Sequence, residues 1–303
     1  MAIGIVPGLV VGLREGIEAA LIIGIILAYL TKIGQKPLRK YVYIGTAAAF
    51  GASLVAALLF AVLIGEFEGT AEQLFEGVAA ILAVVVLTSM ILWMIVAAKD
   101  IRRHVEQRID VLVDRRQVLG LSSLAFIAVF REGVETVLFA AGLAGVTTQA
   151  DLVVGIGIGL LVAAFLGFGL YAASWKIDLR RFFQGTSVLL IVIAAGLFAF
   201  GVHELQEAGV LPWLNGEVYN LKAVFPDSDA NPAGFILRGL VGYNDNPTQI
   251  EVVAYGAYWA FTALVWWGIR TGKIEIVTRP LRQAWAAARR MLGLTPGTDA
   301  DVP

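Results

Sequence analysis

The sequence contains no cysteine and only two histidines among its 303 residues. Without cysteine there are no disulfides, no thiolate metal ligands and no redox dithiol. With only His104 and His203, a buried iron, copper or zinc centre of the enzyme type is hard to build. Charged residues are also scarce at 16%, whereas hydrophobic residues make up 58%. This composition excludes an ordinary soluble protein, and the net charge of −1 gives no sign of nucleic-acid binding.

Long apolar runs dominate the chain instead. Seven of them are long enough to cross a hydrocarbon core of about 30 Å, so we predict an all-α polytopic membrane protein with seven transmembrane helices. The N-terminus lacks a basic region followed by a small-residue cleavage site, so we expect no removable signal peptide. The predicted spans are residues 4–30, 41–64, 76–97, 118–145, 151–173, 183–208 and 249–269.

The connections between the spans alternate in charge. The first, third and fifth connections and the C-terminal tail are rich in Lys and Arg, whereas the second and fourth have neither. The sixth has two basic residues against several acids. By the positive-inside rule, the N-terminus lies outside and the C-terminus lies in the cytoplasm. We therefore expect a multi-pass protein of the cell membrane, in contact with the lipid bilayer.

A charged motif occurs twice inside these runs. Residues 14–18 read Arg-Glu-Gly-Ile-Glu, and residues 131–135 read Arg-Glu-Gly-Val-Glu. At about 100° per residue, the arginine and both glutamates of each copy share one helix face, and the glycine lies on the back. An ionised side chain at mid-membrane costs about 2.5–3.5 kcal/mol. The six charged groups must therefore face one another, water or a ligand.

Two such helices facing each other would present four carboxylates and two guanidiniums, with a formal charge of −2. That combination suits a multivalent cation, and carboxylate oxygens are the ligands that hard cations prefer. The alternative is a buried intrahelical salt bridge between Arg14 and Glu18. We expect this alternative to leave Glu15 and Glu132 without partners, and it does not explain the duplication. The candidate ligands are Glu15, Glu18, Glu132 and Glu135, with Arg14 and Arg131 as charge-balancing residues.

The two copies also indicate an internal repeat. Spans 1–3 and 4–6 each contain an odd number of crossings, so they have opposite orientations. A second, weaker sequence match supports the repeat, because Phe-Glu-Gly at 75–77 begins span 3 and Phe-Gln-Gly at 183–185 begins span 6. We predict an inverted 3+3 repeat with one extra helix and a substrate site near the midplane. The expected segments are a first three-helix repeat at 1–97, a basic cytoplasmic loop at 98–117, a second, inverted three-helix repeat at 118–208, an extracytoplasmic loop with a short helix at 209–248, a seventh span at 249–272 and a basic amphipathic cytoplasmic tail at 273–303.

Further acidic residues gather at the predicted outer surface. Residues 203–207, His-Glu-Leu-Gln-Glu, end span 6 with their charges on one face. They are either a helix end emerging into interfacial water or a metal relay at the outer mouth. Asn231 followed by Pro232 predicts the start of a short helix that runs to about Val241 and caps the vestibule. The outer-mouth candidates are His203, Glu204, Glu207, Glu76 and Glu72.

The doubled Arg-Glu-x-x-Glu motif in a seven-span chain resembles the high-affinity iron permease family, also called the oxidase-dependent iron transporters. The resemblance covers roughly residues 1–270, and the end of span 6 also looks like the bacterial branch. It implies that the motif glutamates translocate iron, which is a substrate rather than a cofactor. It also implies that the iron is Fe3+ supplied by a partner ferroxidase or a periplasmic iron-delivery protein.

Three other functions stay open at this point. One is a permease for another metal cation (Fe2+, Mn2+ or Pb2+), or an exporter, because carboxylate sites select poorly between such ions. Another is an intramembrane metalloenzyme that uses His203, but the zinc-protease pattern needs a second histidine four residues later and position 207 is Glu. The last is a non-transporting scaffold or sensor, which the buried carboxylates disfavour. We therefore expect a permease and not an enzyme.

Overall fold

The computed structural model of the chain describes residues 5–64, 68–97, 101–114, 118–172, 179–228 and 231–271. Within these ranges the regular structure is helical apart from one isolated β-bridge, so the predicted all-α class is confirmed. The helices are α1 (Ile5–Lys32), α2 (Arg39–Ile64), α3 (Thr70–Ala97), α4 (Ile101–Asp114), α5 (Val118–Leu143), α6 (Gln149–Ala172), α7 (Leu179–Glu207), α8 (Pro232–Val241) and α9 (Gln249–Arg270), with a 3₁₀ turn at Lys36–Leu38.

Seven of these helices coincide with the seven apolar runs, and α4 and α8 lie in connections. By length and composition, α2, α3, α6, α7 and α9 can each cross a membrane. Helices α1 and α5 are of similar length, at 28 and 26 residues, but each carries the three charged residues of one motif copy. Charge, rather than length, separates these two helices from the other five.

Helix α3 begins earlier than its hydropathy indicates. It starts at Thr70 instead of residue 76, so Glu72 and Glu76 lie in its first two turns and not before or at its start. Gly69 has a left-handed φ of +61° just before the helix, and its carbonyl accepts the first bond, from the Gln73 amide. An acidic residue in the first turn interacts favourably with the helix dipole. Hydropathy misses this turn because it is polar.

The basic segment at 98–117, predicted from the sequence as a loop, contains the helix α4. Its apolar residues recur at helical spacing, and Ile109 among them is fully buried. At its surface, the Tyr29 hydroxyl donates a hydrogen bond of 2.6 Å to Asp110 Oδ1. The helix closes an apolar cluster at the C-terminal end of α1 and the N-terminal ends of α2 and α5. The buried members of this inner apolar cluster are Ile26, Leu27, Leu30, Val42, Ile109, Leu121 and Ala125.

Helices α1 and α6 form the most extensive helix pair in the described residues. Glycines bring the two backbones together, because a Cβ on Gly159 would lie 2.5 Å from both Leu13 N and Leu9 O. Gly12 in turn approaches the backbone of Ile156. Such small residues permit close helix packing within a membrane. Residue numbers rise together along the interface, so α1 and α6 run parallel.

Helices α2 and α5 form a second parallel pair. Gly45 in α2 lies against Ser122 in α5, and Gly133 in α5 lies against Ser53 in α2. The residue numbers of the two helices again rise together along the interface.

Helices α3 and α7 form an antiparallel pair. A Cβ on Gly77 would lie 2.9 Å from Leu205 Cγ, and one on Gly201 would lie 3.0 Å from Ala80 Cβ. Numbers in α3 therefore rise as numbers in α7 fall. The three pairs place α1 and α5, which also contact each other, with their motifs at the same level.

The connection between α7 and α9 folds over the end of α7. The predicted short helix after Asn231 is confirmed as α8, although the Asn231 side chain donates to Pro226 O at 3.1 Å and makes no capping bond. Gly242 ends α8 with a left-handed φ of +71°, and it packs directly on Gly196 of α7. Both the backbone conformation and this close approach require glycine at position 242.

The chain divides into two compact units, Met1–Ala254 and Tyr255–Pro303. In the second unit the described residues are the rest of α9 and Thr271. Aromatic rings there pack along the helix, with the Tyr255 and Trp259 centroids 6.4 Å apart. The Arg270 guanidinium lies 5.2 Å from the centroid of the Trp266 ring. The predicted basic tail at 273–303 lies outside the described residues.

Candidate metal site

The first motif copy is buried inside the first unit, Met1–Ala254. Arg14 is 0% exposed, Glu15 1% and Glu18 8%. Arg14 Nη1 lies 2.6 Å from Glu15 Oε1, and Arg14 Nη2 lies 2.9 Å from Glu18 Oε1. The same Nη1 also donates to the sulfur of Met90, from α3, at 3.3 Å.

The second copy repeats the pairing but not the burial. Arg131 Nη2 lies 2.8 Å from Glu132 Oε1, and Arg131 Nε lies 3.4 Å from Glu135 Oε1. The Glu132 side chain is 3% exposed, whereas that of Arg131 is 44% exposed. Identical sequence patterns thus place one guanidinium in the interior and the other at a surface of the chain.

The pairing corrects one expectation from the sequence. The intrahelical bridge between Arg14 and Glu18 is present, but the prediction that it would leave Glu15 and Glu132 without partners is wrong. Each guanidinium reaches both the next residue and the residue four positions on, because it has five N–H donors spread over a planar fork. Intrahelical pairing therefore occurs together with a meeting of the two motifs.

Three carboxylates from the two motifs converge. One oxygen from each of Glu15, Glu132 and Glu135 lies within 4.8 Å of the others. Each of the three has one oxygen beside its own arginine, and its Oε2 is buried without a hydrogen-bond partner among the described residues. Glu18 lies outside this trio, but it is close enough to Glu135 to interact with it electrostatically. We call Glu15, Glu132 and Glu135 the carboxylate cluster.

The motif glycines explain why the charged faces meet. A Cβ on Gly16 would lie 2.6 Å from Ala163 Cβ in α6, and Gly133 lies against Ser53 in α2. The back of each motif helix is therefore packed on a neighbouring helix, and Glu15, Glu132 and Glu135 turn toward one another. The cluster also lies in the middle part of both helices, since Glu15 is the eleventh of the 28 residues of α1 and Glu132 the fifteenth of the 26 of α5.

This arrangement suits a hard cation. Buried carboxylate oxygens without hydrogen bonds are costly, because burying a charge requires a partner. A metal ion supplies that partner, and oxygen donors without nitrogen or sulfur favour hard cations. Four glutamates and two arginines give the two motifs a formal charge of −2.

Comparison with known proteins decides the family. The model of the iron permease FTR1 family matches residues 5–279. This chain belongs to the iron permease FTR1 family. The resemblance to iron permeases that the doubled motif indicates is thereby confirmed.

Relatives of this FTR1 family member are similar over most of their length. A protein of Archaeoglobus fulgidus named as uncharacterized is 37% identical over 83% of this chain and 91% of its own. The ferrous iron permease EfeU of Yersinia pestis is 33% identical over 81% of this chain and 87% of its own. EfeU of Escherichia coli O6:H1 is 33% identical over 84% and 91%, respectively. No solved structure matches significantly.

Family membership and the apolar helices together identify a multi-pass membrane protein. The family and its characterised relatives are named as permeases, so the expectation of a transport protein rather than an enzyme is confirmed.

A cavity of about 490 Å³ lies where α7 ends, beneath the connection to α9. The outer-mouth candidates His203, Glu204 and Glu207 line it, and the carboxylate cluster does not. Both ring nitrogens of His203 face carboxylates, since Nδ1 lies 2.9 Å from Glu251 Oε1 and Nε2 lies 3.3 Å from Glu207 Oε1. The two remaining candidates are in α3, outside the cavity lining, where Glu72 is exposed and Glu76 is partly buried.

Glu251 is a residue of this cavity that sequence reasoning missed. Besides His203, it accepts hydrogen bonds from the Thr248 amide at 2.9 Å and from Asn244 Nδ2 at 2.8 Å. The signal was available, because Thr248 and Glu251 form a capping box of the S/T-x-x-E type at the start of α9. Met90 was missed as well, but nothing distinguishes it from the other apolar residues of α3.

Two aspartates sit in the connection that covers the cavity. Burial raises the pKa of Asp227, which the nearby Arg238 opposes and Asp245 reinforces. The Asp227 amide also donates to Asp245 Oδ2 at 3.2 Å. The ionisation of Asp227 is therefore coupled to the folding of the covering segment.

Proposed function

We propose that this chain takes iron up across the cell membrane through the carboxylate cluster. The observation that carries the proposal is the meeting of three carboxylates, of which Glu15 and Glu132 are buried and Glu135 is partly buried, on two helices that each hold one copy of the same motif. Iron permease relatives support the choice of metal, since the Yersinia pestis protein is named a ferrous iron permease. The ion acts as substrate and not as a resident cofactor.

Each motif residue has a role in this proposal. Glu15, Glu132 and Glu135 bind the ion, and Glu18 completes the site from α1. The arginines, Arg14 and Arg131, keep the carboxylates ionised and apart when no cation is bound. They also limit the affinity, which must be favourable but not excessive if the ion is to be released.

Supply and charge favour different valences of the transported iron. As the resemblance implies, iron arrives as Fe3+ from a partner oxidase or a periplasmic delivery protein. Fe2+ is the second candidate, favoured by two observations: the relatives are named for ferrous iron, and a charge of −2 offsets a dication fully but leaves +1 with a trication. Uptake of radio-iron offered anaerobically with reductant, compared with ferric citrate, separates the two. Competition with Mn2+ and Pb2+ in reconstituted vesicles tests whether another metal is the substrate.

Seven spans with an inverted repeat belong to the same proposal. In seven alternating crossings α1, α3 and α6 run one way and α2, α5 and α7 the other, which agrees with the two parallel pairs and the antiparallel pair described above. In the inverted repeat α1, α2 and α3 correspond to α5, α6 and α7. This correspondence turns the α1–α6 pair into the α5–α2 pair and leaves the α3–α7 pair unchanged. The basic connections then put the N-terminus outside and the C-terminus in the cytoplasm.

This orientation places the 490 Å³ cavity at the outer face. Glu72 and Glu76 attract cations there, and His203, Glu204 and Glu207 line the route by which an ion enters. Rocking of one repeat against the other then gives alternating access to the cluster.

The experiment is radio-iron uptake by cells that express single variants. Glu15→Ala and Glu132→Ala should abolish uptake while the protein still reaches the membrane. Glu68→Ala removes an exposed carboxylate away from the cluster and should leave uptake unchanged. Normal uptake by both cluster variants would refute the proposal.

A further inference from the structure

Arg14, which pairs with Glu15 of the carboxylate cluster, has a neighbour that carries no charge. Met90 in α3 is 7% exposed, and its sulfur lies 3.3 Å from Arg14 Nη1. The same nitrogen lies 2.6 Å from Glu15 Oε1. Because a guanidinium Nη carries two hydrogens, one can be directed to the carboxylate and the other to the thioether.

We propose that Met90 is a positioning residue for cation binding, whose thioether shares Arg14 Nη1 with Glu15 and so weakens the hold of Arg14 on the carboxylate cluster. The inference rests on the proposed function, since it concerns how the same cluster admits its ion. It adds a residue from a third helix, which neither motif copy contains.

Arg14 competes with the substrate for Glu15. A cation that binds Glu15 meets the permanent positive charge of a guanidinium already bonded to that carboxylate. Since Arg14 is 0% exposed, the guanidinium cannot relax into water. It must loosen its bond to Glu15 while every N–H stays inside the protein, so it needs another acceptor there.

The thioether of Met90 meets this need. It is a weak, neutral acceptor, so it does not bind the guanidinium as strongly as a carboxylate does. Methionine also has three rotatable side-chain bonds, and its sulfur can follow the guanidinium as it shifts. An aliphatic side chain would leave a buried N–H without this acceptor, which is unfavourable. Arg14 would then pair more tightly with Glu15.

The surroundings of Met90 hold it in place. Leu87, three residues before it on α3, is 2% exposed, and α3 packs on both α5 and α7. Met90 therefore reaches Arg14 from a well-packed helix, and only its flexible side chain needs to move.

The test compares Met90→Leu with Met90→Gln in the full chain. Leucine keeps the apolar volume without the acceptor, and glutamine restores a neutral acceptor of similar length. Iron transport into reconstituted vesicles gives KM and Vmax, and calorimetry gives Kd, measured anaerobically with Fe2+ or with ferric citrate according to which of the two the uptake assay selects. We expect Met90→Leu to raise KM and Kd several-fold at unchanged Vmax, and Met90→Gln to return both close to wild type. Ile91→Leu, a buried aliphatic exchange at the next position, should change neither.

The outcomes separate the two proposals. Wild-type KM and Kd in Met90→Leu would overturn the positioning role. Equal increases of KM and Kd in all three variants, or a fall in Vmax that follows the amount of folded protein, would show that Met90 contributes only to packing. Either result would also overturn the positioning role. Failure of the proposed function looks different, because Glu15→Ala would then transport iron like the wild type. A wild-type protein that neither binds nor transports iron would overturn both.

Discussion

The two arginines of the repeated motif should respond very differently to the same substitution. Arg14→Leu removes a fully buried guanidinium from two ion pairs, of 2.6 and 2.9 Å, and leaves two buried carboxylates without it. Breaking a buried pair in this way costs about 3–5 kcal/mol. Arg131→Leu also removes two contacts, but that side chain is 44% exposed. Its exposed part must face water rather than lipid, because a charge against lipid is costly, and pairs exposed to water contribute about 0.2–1 kcal/mol.

The difference of at least about 2 kcal/mol can be measured as thermal stability. With an unfolding entropy of about 2.1 cal/mol/K per residue, 1 kcal/mol corresponds to about 1.6 °C in Tm for a chain of 303 residues, so Arg14→Leu should unfold at least about 3 °C below Arg131→Leu. The assay is intrinsic fluorescence of the detergent-solubilised protein during heating, since the chain contains seven tryptophans. Fe2+ should recover more of the loss in Arg14→Leu, because binding stabilises the folded form. Equal shifts in the two variants would contradict the assigned burial of Arg14.

Three further outcomes follow from the described contacts. Gly159→Ala should lower the apparent Tm, because its Cβ would lie 2.5 Å from the α1 backbone. Gly157→Ala, with no neighbouring atom within 4 Å, should leave the Tm unchanged or slightly raised. Equal effects would contradict the close packing of α1 on α6. Glu251→Gln should speed hydrogen exchange at 244–251, because it weakens the capping box and the contact with His203. Since folding raises the pKa of Asp227, its contribution to stability is greatest at low pH and is lost as the pH rises through the raised value. Hydrogen exchange of the amides at 225–228 should therefore accelerate with pH more than the exchange of an unstructured chain does. Asp227→Asn should remove this additional acceleration. If the additional acceleration persists in Asp227→Asn, this aspartate is not its source.

Much of the architecture could be predicted because the relevant signals are local. Apolar runs locate seven long helices to within a few residues, and the Asn231-Pro232 step locates α8. Helix α4 was missed because its charged residues lower the average hydropathy, although its apolar residues recur at helical spacing. The early start of α3 was missed for a similar reason, since its first turn is polar.

The candidate site shows where a single sequence stops being informative. Helical periodicity places Glu15 and Glu18 on one face of α1, but it gives no rotation of that helix relative to α5. It therefore predicts four equivalent glutamates where the structure groups three. The unequal burial of Arg14 and Arg131 is likewise invisible in two identical motifs. The contact with Met90 joins residues 76 positions apart, and no local pattern encodes it.

The inner apolar cluster has a consequence for the speed of transport. Ile26 lies eight residues beyond Glu18, about 12 Å further along α1, and both Ile26 and Ile109 are 0% exposed. An ion leaving in that direction would have to shed its water to cross this dry layer, which is prohibitively costly. Release must then wait until α4 and its neighbours separate, so turnover should be slow and steeply dependent on temperature. A pore that stays wet from end to end would behave in the opposite way, with fast flux that warming barely alters.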